Sequence, residues 1–176
     1  MPIRHFNFPF ARIHTFKVGA VVWHKWKGES YYLAFKSLSV PERGIQIPRG
    51  RLERHESLGQ SVLRETFEET GVRCKIICPL TLVFFENSDD DYSNCQIYYI
   101  VRPLDKIDPT LRWLHIDGDD THQELEVFSV PAYTKPDFLS RGQNEVIYTF
   151  QQWLKQHDPH RLDSNLEKQF SEEIER

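Results

Sequence analysis

The sequence has few cysteines, and no part of it has the long apolar run of a membrane helix. Its three cysteines are an odd number, and no His or Cys lies near Cys74 and Cys78 to complete a zinc site. This scarcity argues against a disulfide framework and indicates a reducing compartment, the cytosol or the nucleus. Residues 1–10 also lack the continuous apolar segment of a secretory signal. We therefore expect a cytoplasmic protein that does not act on membranes.

Internal repeats and low-complexity segments are also missing, which excludes a solenoid or a disordered linker protein. A chain of 176 residues with 39% hydrophobic residues is long enough for one domain with a substantial core. The composition turns polar after residue 157. The sequence thus predicts a single domain over residues 1–157, followed by a polar C-terminal tail over residues 158–176.

Charge is unevenly distributed along the chain. Residues 1–55 hold ten Lys or Arg and three Glu, a net charge of +7, whereas the remaining residues hold 12 basic and 23 acidic side chains, a net charge of −11. This asymmetry favours an anionic ligand near the first part of the chain, although solubility alone is an equally simple explanation. No basic helix with interleaved aromatic residues is present, so a nucleic-acid partner is not expected. Exposed aromatic residues leave a homodimer open.

Hydrophobic patterning predicts a chain richer in strands than in helices. The predicted strands span residues 18–23, 31–35, 45–48, 72–77, 80–85, 95–101 and 124–130, and Pro79 is expected to break the fourth from the fifth. Residues 87–93 are expected to form an acidic loop and residues 103–120 to be irregular. The predicted helices span residues 56–70, starting near Ser57 and ending at Gly71, and residues 143–156. This order predicts a mixed α/β sheet between helices.

Three glutamates on the first predicted helix carry the chemical signal. Glu65, Glu68 and Glu69 are spaced at i, i+3 and i+4, so they share one helix face. Such a face is often simply solvated. Carboxylate oxygens are, however, the ligands that Mg²⁺ and similar hard cations prefer, and such cations neutralise phosphate charge and activate water. Gly50 allows the backbone to approach closely enough to offer a carbonyl, and Arg64 can orient a neighbouring carboxylate.

The stretch from Gly50 to Val72 resembles the Nudix box. Its fixed positions match in type and spacing: Gly50, Glu56, Arg64, Glu65, Glu68, Glu69 and Gly71. One position departs, because Thr66 stands where the family usually has an aliphatic residue. The resemblance implies a Nudix-type α/β/α sandwich around a mixed β-sheet and a divalent-metal-dependent pyrophosphohydrolase.

The resemblance also implies roles for individual residues. Glu65, Glu68 and Glu69 are expected to bind Mg²⁺ or Mn²⁺ with help from the Gly50 carbonyl, and Arg64 is expected to hold a box glutamate in place. Glu56 is expected to orient the loop or reach a second metal ion through water. The family often has a further acidic base outside the box, and the candidates left open are Glu86, Glu124 and Glu126.

The expected substrate is an anionic phosphorylated small molecule. The resemblance implies a nucleoside-diphosphate-linked compound, a dinucleoside polyphosphate or a diphosphoinositol polyphosphate. The side chains expected to bind its phosphates are Lys17, Lys36, Arg43, Arg49, Arg51 and Arg54. The alternative is a Nudix-fold sensor that binds a nucleotide or phosphoinositol without cleaving it. Such sensors usually lose box carboxylates, and this chain keeps them all.

Overall fold

The computed structural model describes residues 13–87, 92–118, 122–135, 138–139 and 142–157. The tail over residues 158–176 and residues 88–91 of the expected acidic loop lie outside these ranges. The elements in chain order are β1 (Ile13–Trp26), β2 (Glu29–Ser37), a 3₁₀ turn (Pro41–Arg43), β3 (Ile45–Gln46), β4 (Arg49–Arg51), α1 (Leu58–Thr70), β5 (Cys74–Asn87), β6 (Tyr92–Pro103), β7 (Arg112–Ile116), β8 (Glu124–Pro131) and α2 (Gln143–His157).

The strands form a mixed sheet in the order β5-β6-β1-β2-β8-β7, with β3 added to β2 and β4 added to β1. Strands β1 and β6 run parallel, and the other pairs are antiparallel. Strand β1 changes partner along its length: residues Lys17 to Gly19 pair with β4, and residues Trp23 to Trp26 pair with β2. Strand β1 therefore joins two halves of the sheet. Strand β4, which contains the start of the Nudix-like stretch, pairs with β1 just before the residues of β1 that pair with β2.

The period-two pattern of β1 separates two cores. Val18 and Val22 are fully buried on the face that α1 covers, where they pack with Val62. Val21 points to the opposite face, where α2 contributes Phe150 and other apolar residues. Because side chains alternate along a strand, this β-branched run supports a helix on each side. The predicted α/β/α sandwich around a mixed sheet is confirmed. Neither described helix has the length and apolar character needed to cross a membrane.

The ends of α1 follow the local signals in the sequence. Ser57 accepts a hydrogen bond from the Gln60 N–H, and the Gln60 side chain bonds back to the Ser57 backbone, which completes a capping box. Gly71 ends the helix in the left-handed conformation, with φ of 73°. Thr66, the residue that departs from the family pattern, is fully buried, and its hydroxyl donates to the Val62 carbonyl at 2.6 Å. Its polar group is therefore satisfied inside the helix.

Two predicted features of the strands are wrong. Strand β5 is continuous through Pro79, with register shifts between Ile76 and Cys78 and between Pro79 and Thr81. An edge strand tolerates proline because one side of its backbone has no ladder partner. Residues 103–120, predicted to be irregular, contain β7. Leu114 and Ile116 occupy its exposed face, so the polar and apolar residues do not alternate as strand prediction requires.

Candidate active site

Arg64 is the centre of the charged cluster on α1. Its Nη1 donates to Glu65 at 3.0 Å and to Glu68 at 2.7 Å. Its Nε and Nη2 contact the two carboxylate oxygens of Glu56 at 2.8 and 3.0 Å, and Nη2 also donates to the Arg51 carbonyl at 3.0 Å. The hydrogen bond from Arg64 is the main reason that the pKa of Glu56 is lowered. One guanidinium thus ties the helix to the loop that precedes it.

The remaining contacts place the glutamates against β4. The Arg49 N–H donates to Glu69 Oε2 at 2.7 Å. The Glu65 carboxylate lies directly against Gly50, where a Cβ would overlap with its oxygens. Only glycine permits this approach. The structure therefore brings Gly50, Arg64 and the box glutamates Glu65, Glu68 and Glu69 together at the start of β4.

Two of these carboxyl groups are destabilised in their charged form. Burial raises the pKa of Glu65 to about 7, although the charge and the hydrogen bond of Arg64 lower it. Burial also raises the pKa of Glu69 well above its usual value, and the charges of Glu65 and Asp117 raise it further, whereas the Arg49 N–H lowers it. At both groups, burial and neighbouring negative charges therefore outweigh the stabilising contacts with arginine.

This donor set fits a hard divalent cation. Carboxylates that burial destabilises gain from a nearby positive charge, and a backbone carbonyl such as that of Gly50 is a further oxygen ligand of the kind these cations accept. In the described part of the chain, no three His, Cys, Asp or Glu side chains surround one common point. Arg64 lies between Glu65 and Glu68 instead. Binding of a cation by all three glutamates thus requires rotation of their side chains, which are long enough to do so.

Asp117 is an acid at this site that sequence patterns did not single out. It is 8% exposed, and its charge acts on both Glu65 and Glu69. The neighbouring Gly118 N–H donates to the Glu68 carbonyl at 3.3 Å, which docks the segment after β7 directly on α1. The sequence alone does not distinguish Asp117 as a site residue, because it begins a Gly- and Asp-rich stretch that resembles an ordinary surface loop.

Of the acids proposed from the sequence as the general base, and within the described part of the chain, the structure shows ion pairs for Glu126 alone. Glu126 pairs with Lys36 at 2.8 Å and with Arg112 at 3.6 Å, and the Lys36 contact is the main cause of its lowered pKa. Glu124 is exposed at the start of β8. Glu86 belongs to β5, and its side chain lies outside what the structure describes.

The basic residues expected to bind phosphate do not form one cluster. Arg49 lies at the site, and its guanidinium donates to Gln96 at 3.3 Å. Arg43 donates to the Gln123 side chain at 3.0 Å, and the Gln123 carbonyl accepts from the Asp117 N–H at 2.8 Å. Arg43 is therefore linked to the Asp117 loop.

The other basic candidates are less clearly placed. Lys36 is held by its ion pair with Glu126. Arg51 is exposed on β4, with its carbonyl bound by Arg64, and Arg54 is exposed in the loop before α1. Lys17 lies opposite Arg51 in the ladder between β1 and β4.

Comparison with known proteins agrees with this fold. A family model described as the NUDIX domain matches residues 15–150, which is more than half of the chain. No curated protein matches the sequence significantly. The chain belongs to the Nudix hydrolase family, a class of pyrophosphohydrolases.

Solved structures share the fold at low sequence identity. A binary complex of the Ap4A hydrolase of C. elegans is 18% identical, with a TM-score of 0.60, over 80% of this chain and 98% of that one. The MutT protein of Methanosarcina mazei Go1 is 18% identical, with a TM-score of 0.58, over 80% and 95%. NrtR of Shewanella oneidensis is 18% identical, with a TM-score of 0.56, over 81% and 64%. These likenesses establish the architecture.

Proposed function

We propose that this protein hydrolyses a phosphoanhydride bond in a small phosphorylated substrate with the help of Mg²⁺ or Mn²⁺. The observation that supports the proposal best is the cluster of Glu65, Glu68 and Glu69 beside Gly50, in which half-buried carboxyl groups lie close together and burial raises the pKa of Glu65 and Glu69. The box glutamates and the Gly50 carbonyl would hold the cation. A bound divalent cation supplies charge neutralisation at phosphate oxygens and lowers the pKa of water.

The side chains of the site then have separate tasks. Arg64 orients Glu56, Glu65 and Glu68 through four charge-assisted hydrogen bonds. We propose Asp117 as the acid outside the box that accepts a proton from the attacking water, because it is nearly buried and the next residue, Gly118, is hydrogen-bonded to the Glu68 backbone.

The substrate class follows from charge. Arg49 lies beside the glutamates, where its charge acts on Glu69, and the Arg43 guanidinium binds Gln123, whose carbonyl accepts from the Asp117 N–H. Guanidiniums suit phosphate oxygens because they present paired N–H donors. We propose a dinucleoside polyphosphate or a diphosphoinositol polyphosphate. The first class is also the substrate named for the Ap4A hydrolase of C. elegans, whose fold is similar.

A substrate panel tests this proposal. Phosphate and nucleotide release are measured with Mg²⁺ over diadenosine polyphosphates, ADP-ribose and diphosphoinositols. We expect turnover of at least one compound and none in EDTA. Folded protein that binds one of these compounds without turnover, at any metal concentration, would identify a sensor and contradict the enzyme assignment.

Substitution of single box glutamates tests the metal assignment. We expect Glu68→Gln and Glu69→Gln to lose rate by on the order of 10²–10³-fold, because each removes one charge from the cation site. Both should stay folded, since in Glu69→Gln the new amide oxygen can still accept from the Arg49 N–H. Calorimetric titration should show weaker Mn²⁺ binding in both. Glu145→Gln is the matched control, because Glu145 is an exposed residue in the first turn of α2. Normal rates in both box variants would dismiss the assignment.

A further inference from the structure

We infer that Gln143, the first residue of α2, is a positioning residue that holds the box glutamates through the backbone of residues 47–49. The inference rests on the proposed function, since it concerns the same cation site. Gln143 lies in a different element, 74 positions beyond Glu69 in the printed sequence. Its side chain is fully buried.

The side chain of Gln143 reaches the Tyr98 hydroxyl, and its amide makes two hydrogen bonds to the backbone of one residue. Its Oε1 accepts from the Ile47 N–H at 2.8 Å, and its Nε2 donates to the Ile47 carbonyl at 3.0 Å. Strand β3 ends at Gln46 and β4 begins at Arg49, so Ile47 lies between two strands. A buried backbone segment needs partners for its N–H and C=O groups. Gln143 supplies both, as a neighbouring strand would.

The clamped residue lies two positions before the site. The Pro48 carbonyl accepts from the Ala20 N–H at 2.9 Å, and the next N–H, that of Arg49, donates to Glu69 at 2.7 Å. Gly50 follows and supports the Glu65 carboxylate. Displacement of Ile47 would therefore move the groups that contact two of the three box glutamates.

A second glutamine on the same helix provides a matched control. Gln151 Nε2 donates to the carbonyls of Ala132 at 2.9 Å and Thr134 at 3.0 Å. Its amide thus also makes two hydrogen bonds to backbone groups from α2. These partners lie just after β8, not next to the Nudix box. A variant at either position removes two hydrogen bonds to the backbone. Only the two made by Gln143 hold the segment that precedes the Nudix box.

The experiment compares Gln143→Met with Gln151→Met in the full chain. Methionine keeps the length of the side chain and removes the amide. We measure unfolding temperature, Mn²⁺ affinity by calorimetric titration, kcat and KM for the best substrate, and amide exchange at Ile47 and Arg49. We expect both variants to lose thermal stability. Only Gln143→Met should weaken Mn²⁺ binding, by about 10–100-fold, with a similar fall in kcat and little change in KM. Amide exchange at Arg49 should be faster in this variant alone.

The outcomes separate this inference from the proposed function. Equal Mn²⁺ affinity, kcat and Arg49 exchange in the two variants would overturn the role of Gln143. Wild-type protein that binds no Mn²⁺ and cleaves nothing would overturn the proposed function, whereas the exchange data would still test the clamp. If Gln143→Met does not fold, Gln143→Glu takes its place and is measured at alkaline pH, because an ionised carboxylate keeps an acceptor for the Ile47 N–H and has no donor for the Ile47 carbonyl. A partial loss of Mn²⁺ affinity is then expected, and none would contradict the inference.

Discussion

At the scale of single residues, Gly50 is the position where a larger side chain fits least well. We expect Gly50→Ala to lower the rate by about 100-fold, because its Cβ would displace the Glu65 carboxylate that now lies against the backbone. Gly28→Ala is the control: Gly28 has a φ of +86° and open space around it, so this variant should lose about 1 kcal/mol of stability and no activity. The measurements are steady-state rates and urea denaturation. Equal activity in both variants would contradict the close packing at Gly50.

His24 predicts a second effect at this scale, on stability against pH. It is 5% exposed, stacks on Tyr31 and contacts the Ser129 hydroxyl at 3.0 Å, and burial lowers its pKa to about 4. Between about pH 6.5 and 4 the unfolded chain therefore binds a proton at this residue that the folded chain does not, so stability falls as pH falls. In His24→Phe the loss between pH 6.5 and 4.5 should be smaller by about 2 kcal/mol.

Urea titrations at several pH values measure this difference. His157→Phe is the control, because His157 is exposed near the end of α2. Parallel curves of stability against pH for wild type and His24→Phe would contradict the prediction.

At the scale of elements, the cap of α1 sets where the box helix begins. We expect Ser57→Ala to destabilise the protein by about 1 kcal/mol, because the Gln60 N–H loses its side-chain acceptor. Activity should change little, since Arg64 still holds the loop to the helix through Glu56. Ser39→Ala, in an exposed loop, is the control for urea denaturation. A loss of rate without a loss of stability would contradict the assignment.

The same elements explain how far sequence alone predicts this molecule. Ser57 and Gly71 predict both ends of α1 because capping depends on neighbouring residues. The box glutamates are found for the same reason, since their spacing places them on one helix face. Asp117 and Gln143 come to the site from distant segments, so only the folded chain reveals them. Strand β7 was missed because its exposed face is apolar.

At the scale of the whole molecule, we propose that residues 1–157 form the single domain and that residues 158–176 are a dispensable tail. The buried side chains of α2 are Gln143, Val146, Ile147, Phe150 and Leu154, which all precede His157. We expect a chain ending at His157 to keep its unfolding temperature within a few degrees and to keep its activity.

A chain ending at Gln152 is the control for this truncation. It loses Leu154, which is fully buried, so we expect destabilisation of roughly 2–5 kcal/mol. Thermal denaturation and the substrate assay measure both truncations. If the chain ending at His157 failed to fold, residues beyond His157 would be part of the folded domain. We also propose a cytoplasmic location for this protein, which cell fractionation checks.

The bond between Gln143 and Ile47 spans 96 residues. During synthesis, the ribosome releases the glutamate-bearing helix long before it makes the residue that clamps the preceding segment. Domains generally fold as units once their last packing element is available. A nascent chain therefore carries every carboxylate of its catalytic cluster while their support is still missing. Its hydrolytic activity would therefore emerge only after α2 has been made.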